Sequence, residues 1–178
     1  MKKKKYFKDK GILFWITGLS GSGKTTLAKL IKKDVIKHFG PTLLVSGDDL
    51  RKIFGFKKYD FKSRLELSRK FCKFAKFITN QNVNLIFAIV GMIDEPRIWN
   101  RKNIKNYLEI YIRSDLKKII KLGKKKIYKD KKKQKIVGLN IIPQFPKKPD
   151  IKIKNDFKKK PQNLANDLIK KILNTYKI

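Results

Sequence analysis

The chain has 178 residues, of which 41% are hydrophobic, and it carries a formal net charge of +33. This apolar content excludes a disordered chain and suits one domain with a hydrophobic core. The sequence has no run of about 18 apolar residues, so we predict no membrane-spanning helix. The charge comes almost entirely from lysines spread over the whole chain, with only six arginines, so we interpret it as basic composition and expect no nucleic-acid partner.

Residues 1–10 form a basic tail, and the apolar run that follows them is too short for the core of a signal peptide. The single cysteine, Cys72, has no disulfide partner and no metal-ligand spacing, so we interpret it as a small buried apolar residue. The absence of a disulfide framework predicts a cytoplasmic protein.

Short runs of β-favouring apolar residues predict strands that are buried on both faces, as in a parallel sheet. The predicted strands are 11–17, 42–46, 83–90, 107–112 and, more weakly, 150–154. Apolar residues at helical spacing predict helices between these strands and at the end of the chain. The predicted helices are 25–38, 61–80, 94–106, one capped by Ser114 and one opened by Pro161. The alternation predicts a three-layer α/β domain with a central parallel sheet.

Residues 122–148 differ from the rest because they combine many lysines with glycines and prolines. We predict a mobile lid or long loop here, which would close over phosphates and exclude water. Lys126 and Lys129 are the candidate phosphate contacts within it.

Residues 18–25 read Gly-Leu-Ser-Gly-Ser-Gly-Lys-Thr and fit the phosphate-binding pattern G-x-x-x-x-G-K-S/T without a mismatch. The glycines let backbone N–H groups turn inward onto phosphate oxygens, and the following helix adds the positive end of its dipole. We expect Lys24 to reach the β- and γ-phosphates of ATP and to act in catalysis, and Thr25 to hold Mg²⁺. The predicted nucleotide-binding residues are Gly18, Ser20, Gly21, Ser22, Gly23, Lys24, Thr25 and Thr26.

The second predicted strand ends in Ser-Gly-Asp-Asp-Leu-Arg, residues 46–51. A carboxylate at the carboxyl edge of a parallel strand lies at the ligand crevice. Asp48 is therefore a candidate to orient or deprotonate an acceptor hydroxyl, or to join the Mg²⁺ ligands, and Arg51 to bind an anionic acceptor. The alternative is that Asp48 caps a helix and Arg51 is an ordinary surface residue.

Residues 11–28 closely resemble the opening of the adenylylsulfate (APS) kinases, and a weaker likeness extends to about residue 155. The resemblance implies a P-loop kinase that transfers phosphate from MgATP to the 3′-hydroxyl of adenylylsulfate. It implies that Phe56 stacks on the acceptor base and that Arg64 lies in the helix that binds the acceptor. A homodimer is a further expectation, because the family often forms dimers.

The chain departs from the family pattern mainly where the family binds its acceptor. Ser46 stands for an aspartate, Leu67 for an acceptor-binding asparagine, and Ile136, a candidate substrate contact, for an aromatic residue. The family has a Ser-Pro pair followed by an arginine after the third strand, and residues 89–93 of this chain lack that pair. Whether Arg97 replaces the family's arginine stays open. Residues 94–101 resemble a branch of the family that acts on cytidine diphosphoramidate in polysaccharide gene clusters.

The sequence therefore predicts a kinase for a small nucleotide acceptor, with adenylylsulfate as the first hypothesis and cytidine diphosphoramidate as its rival. Two hypotheses from other classes stay open. A P-loop nucleic-acid binder or polynucleotide kinase would use the +33 charge, and its binding would depend steeply on salt. A non-catalytic nucleotide-binding protein would bind ATP without turnover on any acceptor.

Overall fold

A computed structural model of the chain describes residues 10–123 and 135–178. The predicted lid contacts Lys126 and Lys129 lie outside the described residues, as do residues 1–9 of the basic tail. Within the described part, every helix is too short or too polar to span a membrane.

Five parallel strands form one sheet in the order β2-β3-β1-β4-β5, as counted over the described residues. The strands are β1 Leu13–Thr17, β2 Thr42–Ser46, β3 Asn84–Ile89, β4 Tyr107–Arg113 and β5 Ile151–Lys154. The helices are α1 Lys24–Phe39, α2 Gly47–Ile53, α3 Phe61–Asn80, α4 Asp94–Asn103, α5 Leu116–Lys121 and α6 Pro161–Thr175. This arrangement confirms the predicted fold class of a helix-flanked parallel sheet.

The central strand β1 is buried on both faces, which explains its unbroken apolar sequence. Successive side chains point to opposite faces of a strand. Phe14 and Ile16 accordingly join the apolar core shared with α1 and α6, whereas Leu13 and Trp15 join the core beneath α3. The alternation along one short strand therefore builds both interfaces of the three-layer structure.

Most predicted elements are present, with three differences. The seven-residue helix α2 was not predicted, because it follows β2 without a loop and is too short to show an apolar period. The cap predicted at Ser114 is wrong, because the side chain of Asp115 accepts the backbone N–H of Lys118 and caps α5. Helix α4 ends at Asn103 rather than at residue 106. The next residue, the buried Ile104, has extended backbone and leads the chain towards β4.

The interpretation of Cys72 as a buried residue is confirmed. Its side chain is 1% exposed, and its thiol approaches the carbonyl oxygen of Pro96 at 3.5 Å. Burial raises the pKa of the Cys72 thiol to about 12, so the nucleophilic thiolate is strongly disfavoured near neutral pH.

A network of charged side chains fixes helix α4 against the sheet. The guanidinium of Arg97 lies 3.0 Å from the carboxylate of Glu109, and these side chains are only 5% and 7% exposed. Arg101 bridges Glu109 and Asp150 at 3.1 and 3.0 Å. Asp150 also accepts the backbone N–H of Glu109 at 2.7 Å. The network therefore joins α4, β4 and the residue that precedes β5.

Replacing Glu109 by Gln should lower the free energy of unfolding by about 3 kcal/mol, because Arg97 and Arg101 lose the buried carboxylate between them and Arg97 keeps the partly exposed carboxylate of Asp94. Urea unfolding followed by circular dichroism measures this loss.

Glu66→Gln is the matched control, because Glu66 pairs with Lys70 on the exposed face of α3. It should leave the free energy of unfolding nearly unchanged. Equal losses for Glu109→Gln and Glu66→Gln would contradict the structural role of the buried pair.

Candidate nucleotide and acceptor sites

The phosphate-binding loop connects β1 to α1 at the carboxyl edge of the sheet. Gly21 and Gly23 have φ angles of 81° and 94°, a region that glycine adopts without strain. A Cβ atom at Gly18 would lie 2.6 Å from the carbonyl oxygen of Ile112, so only glycine fits there. The loop can therefore turn its backbone N–H groups towards bound phosphate oxygens.

Lys24 begins helix α1, and its side chain is 8% exposed. Its Nζ donates a hydrogen bond to the carbonyl oxygen of Leu19 at 2.7 Å, so the ammonium lies across the loop. The positive charge and the positive end of the helix dipole thus face the same space. This is the electrostatic environment that an ATP triphosphate requires.

A cavity of about 370 Å³ lies against the loop. Six of the eight predicted nucleotide-binding residues line it, and Gly18 and Ser22 are not among its lining residues. The six are Ser20, Gly21, Gly23, Lys24, Thr25 and Thr26. The cavity is also lined by Asn155, Phe157, Pro161 and Leu164, which the sequence analysis did not assign to the site. The apolar side chains of Phe157, Pro161 and Leu164 suit a nucleotide base.

Asn155 connects the phosphate-binding loop to the turn that follows β5. Its Nδ2 donates to the carbonyl oxygen of Ser22 at 3.0 Å, and its Oδ1 accepts the backbone N–H of Phe157 at 3.0 Å. The residue is 7% exposed. One buried amide therefore links the phosphate-binding loop to the turn that carries Phe157. Its position directly after a strand was the one signal that the sequence offered.

Asp48 lies in the first turn of α2 but does not cap the helix. Ser46 is the N-cap, and the carboxylate of Asp49 accepts the Ser46 hydroxyl at 2.7 Å and its backbone N–H at 3.2 Å. These contacts form a capping box that fixes the first turn. The alternative reading of Asp48 as a cap is therefore wrong, and its exposed side chain faces the cavities.

A second cavity of about 190 Å³ adjoins the first. Asp48 lines both cavities and stands at their shared wall. The predicted acceptor residues Arg51, Arg64 and Ile136 line the second cavity, together with Leu67. The structure therefore brings the candidate acceptor residues to the side of Asp48 that is opposite the nucleotide cavity.

Phe56 is the predicted acceptor residue that the structure does not bring to this cavity. Its ring packs edge-on against Phe54 and beneath Lys70, next to the core under α3. Tyr59, Phe61 and Phe71 are the aromatic residues in the lining of this cavity. Stacking of the acceptor base on Phe56 therefore has no support in this geometry.

Arg51 and Arg64 form a positively charged wall of the second cavity. Arg51 donates to the carbonyl oxygen of Lys58 at 2.9 Å, and Arg64 donates to those of Tyr59 and Lys135 at 2.6 and 3.0 Å. Burial, together with the charge of Arg51, lowers the pKa of Arg64 to about 10. A bound anion would relieve both effects, because it offsets the desolvation and the repulsion between the two guanidinium groups.

The described residues contain no cluster of three or more Asp, Glu, His or Cys side chains that would hold a metal ion alone. Thr25 and Asp48 nevertheless both line the first cavity and offer hard oxygen atoms. Such a donor set fits Mg²⁺, which commonly takes few protein ligands and completes its shell with phosphate oxygens and water.

A phosphate-binding loop at the carboxyl edge of a parallel sheet, with an acceptor cavity beside it, defines a P-loop kinase. The sequence profile of the adenylylsulphate kinase family matches residues 10–154, and the chain belongs to this family. Membership confirms the predicted family, the phosphotransferase class and ATP as the cofactor.

The cytidine diphosphoramidate kinase of Campylobacter jejuni is 33% identical over 169 residues, which cover 93% of this chain and 98% of that protein. The adenylyl-sulfate kinase of Clostridium acetobutylicum is 32% identical over 159 residues, which cover 85% of this chain and 78% of that protein. The Mycobacterium tuberculosis APS kinase CysC, solved with AMPPNP and APS, has the same fold, with a TM-score of 0.79 and 22% identity over 92% of this chain and 98% of that one.

Replacing Asn155 by Ala should raise the KM for ATP about ten-fold, because the phosphate-binding loop and the Phe157 turn lose a shared hydrogen-bonding partner. It should also lower the free energy of unfolding by about 1–3 kcal/mol. Steady-state kinetics with varied ATP, together with urea unfolding, measures both effects.

Asn166→Ala removes an amide from the exposed face of α6, where the side-chain oxygen of Asn166 accepts a hydrogen bond from Gln162. This control should keep the wild-type KM for ATP. An unchanged KM in Asn155→Ala would show that the buried amide does not organise the nucleotide cavity.

Proposed function

We propose that this kinase transfers the γ-phosphate of MgATP to a ribose hydroxyl of a small nucleotide whose anionic group binds Arg51 and Arg64. The observation that carries the proposal is the position of Asp48, which lines both the nucleotide cavity and the arginine-lined cavity. A reacting hydroxyl and a γ-phosphate would meet beside this carboxylate. Phosphoryl transfer needs positioning and neutralisation of charge, and the two cavities supply both.

The phosphate side of the reaction depends on Lys24, on the loop N–H groups and on the N-terminus of α1. Thr25 would hold Mg²⁺, which when bound neutralises charge on the β- and γ-phosphates, and Asp48 is a second ligand only in the alternative in which it does not serve the acceptor. Lys24 would attract the same oxygens and stabilise the charge that shifts towards the β-phosphate as the bond breaks.

The acceptor side depends on Asp48, which would orient the hydroxyl and accept its proton as the new bond to phosphorus forms. Arg51 and Arg64 would hold the acceptor's anionic group. A kinase must exclude water from its γ-phosphate, and the lid that the sequence predicts for this task stays a prediction.

We favour cytidine diphosphoramidate as the acceptor. Leu67 and Ile136, two of the departures from the APS kinase pattern, both line the acceptor cavity and make this wall apolar. Loss of a polar contact alters selectivity more strongly than the loss of a methylene group. The Campylobacter jejuni cytidine diphosphoramidate kinase, moreover, aligns with this chain over 98% of its own length.

Adenylylsulfate is the second candidate acceptor. The family profile covers residues 10–154, and the phosphate-binding loop keeps the complete family pattern. The two acceptors share a nucleoside with an extended anionic tail, which the paired arginines would bind in either case.

We also propose that residues 1–178 function as one kinase domain in the cytoplasm. The homodimer stays a prediction from the family resemblance.

The full chain should release ADP from MgATP faster with cytidine diphosphoramidate than with adenylylsulfate, with kcat/KM about ten-fold higher or more, because one lost polar contact can account for such a ratio. A coupled ADP assay with the two acceptors in parallel measures this.

A preference for adenylylsulfate would overturn the choice of acceptor and leave the kinase activity standing. ATP binding without turnover on either nucleotide would indicate a non-catalytic protein. Binding to DNA or RNA that weakens steeply with salt would favour the nucleic-acid alternative.

Replacing Asp48 by Asn should lower kcat by about 10²–10⁴-fold, because the amide cannot accept the hydroxyl proton. The KM for ATP should change little, and Lys24→Ala should abolish turnover in the same assay.

Asp49→Asn is the matched control, because this neighbouring carboxylate contacts Ser46 in the capping box. It should lower stability but keep most of kcat. If Asp48→Asn instead weakens MgATP binding more than it lowers kcat, Asp48 is a metal ligand rather than the group that handles the acceptor hydroxyl.

A further inference from the structure

We infer that Tyr59 is a positioning residue, whose ring holds Arg51 and Arg64 in place at the wall of the acceptor cavity. This inference rests on the proposed function, because it assigns the origin of the anion site that the acceptor would use. Neither the phosphate-binding loop nor Asp48 depends on it.

Tyr59 lies in the connection between α2 and α3, and its ring lines the second cavity. The guanidinium carbon of Arg51 lies 4.4 Å from the ring centroid, and that of Arg64 lies 5.3 Å from it. Both distances fall within the range of cation–π attraction, about 6 Å. One aromatic ring therefore contacts both positive charges of the wall.

The contact with the Tyr59 ring matters because the positive charges of Arg51 and Arg64 repel each other. The positive charge of Arg51 and burial both lower the pKa of Arg64, and burial also lowers the pKa of Arg51. The electron-rich ring face attracts each guanidinium and offsets part of this repulsion. The arginines are thus held close together before an anion arrives, so less side-chain entropy is lost on binding.

The backbone beside Tyr59 fixes the far side of each guanidinium. Arg51 donates to the carbonyl oxygen of Lys58, and Arg64 donates to that of Tyr59 itself. These carbonyl groups remain when the side chain is changed. A substitution of Tyr59 therefore removes the ring and leaves the backbone acceptors in place.

Tyr59, Arg51 and Arg64 line the second cavity and are absent from the lining of the first. The positioning effect should therefore fall on the acceptor and not on ATP. A general loss of folding would affect both substrates, so the ratio of the two KM values separates the explanations.

Replacing Tyr59 by Leu should raise the KM for the acceptor about ten-fold, which corresponds to the loss of roughly two cation–π contacts at a partly exposed site. The KM for ATP should stay within about two-fold, as only the second cavity is altered. Tyr59→Phe should retain the wild-type acceptor KM, because it keeps the ring. The measurement is steady-state kinetics on the full chain, with thermal unfolding as a check of folding.

Phe54→Leu is the matched control, because Phe54 is an exposed aromatic residue near the end of α2 that does not line either cavity. It should leave both KM values unchanged. A wild-type acceptor KM in Tyr59→Leu would overturn the inference. So would a Tyr59→Phe variant that is as impaired as Tyr59→Leu, or a KM for ATP that rises in parallel.

Calorimetric titration separates this inference from the proposed function. Adenylylsulfate and cytidine diphosphoramidate are titrated into wild type and Tyr59→Leu while saturating AMPPNP fills the nucleotide cavity. Weaker binding to Tyr59→Leu supports the positioning role even if the wild type turns over neither nucleotide. Equal binding to wild type and Tyr59→Leu overturns it even if the wild type is an active kinase.

Discussion

Parallel pairing of the central strand is the constraint on which the other features depend. Strand β1 pairs with β3 on one side and β4 on the other, and all its residues are buried. Because every strand runs the same way, all the strands end at one edge of the sheet. The phosphate-binding loop follows β1, Asp48 follows β2 and Asn155 follows β5. Three segments that are far apart in the chain therefore meet at one crevice, and a disturbed register would separate them.

The two cavities use different chemistry at this shared edge. The nucleotide cavity is built largely from backbone N–H groups and a helix terminus, which require glycines and one lysine. The acceptor cavity is built from side chains, with an arginine pair on one wall and Leu67 and Ile136 on another. Backbone recognition tolerates little change of sequence, whereas a wall of side chains can be replaced residue by residue. This difference explains why the chain keeps the family pattern on one side of Asp48 and departs from it on the other.

The arginines of this basic protein are stabilised by different neighbouring groups. The buried Arg97 forms ion pairs with Glu109 and Asp94, and it also donates to the carbonyl oxygens of Gly91 and Gln144. Gly91 lines the acceptor cavity, so the ion pair supports part of the cavity wall from behind. The arginines at the front of the cavity contact Tyr59 instead, with no carboxylate among their described hydrogen-bond acceptors. Arg97 thus stabilises the fold, whereas Arg51 and Arg64 line the space that an anion would enter.

The sequence by itself determined the features whose physics is local. The apolar run of β1, the glycine spacing of residues 18–25 and the position of Asp48 after a strand predicted the fold, the nucleotide and a carboxylate at the ligand crevice. The tertiary structure decided which distant groups meet. Asn155 reaches Ser22 across 133 positions of the chain, and no local pattern marks such a contact. Phe56 was assigned to the acceptor from resemblance, but the connection between α2 and α3 brings Tyr59 to the cavity instead, because the path of such a connection depends on how the flanking helices pack.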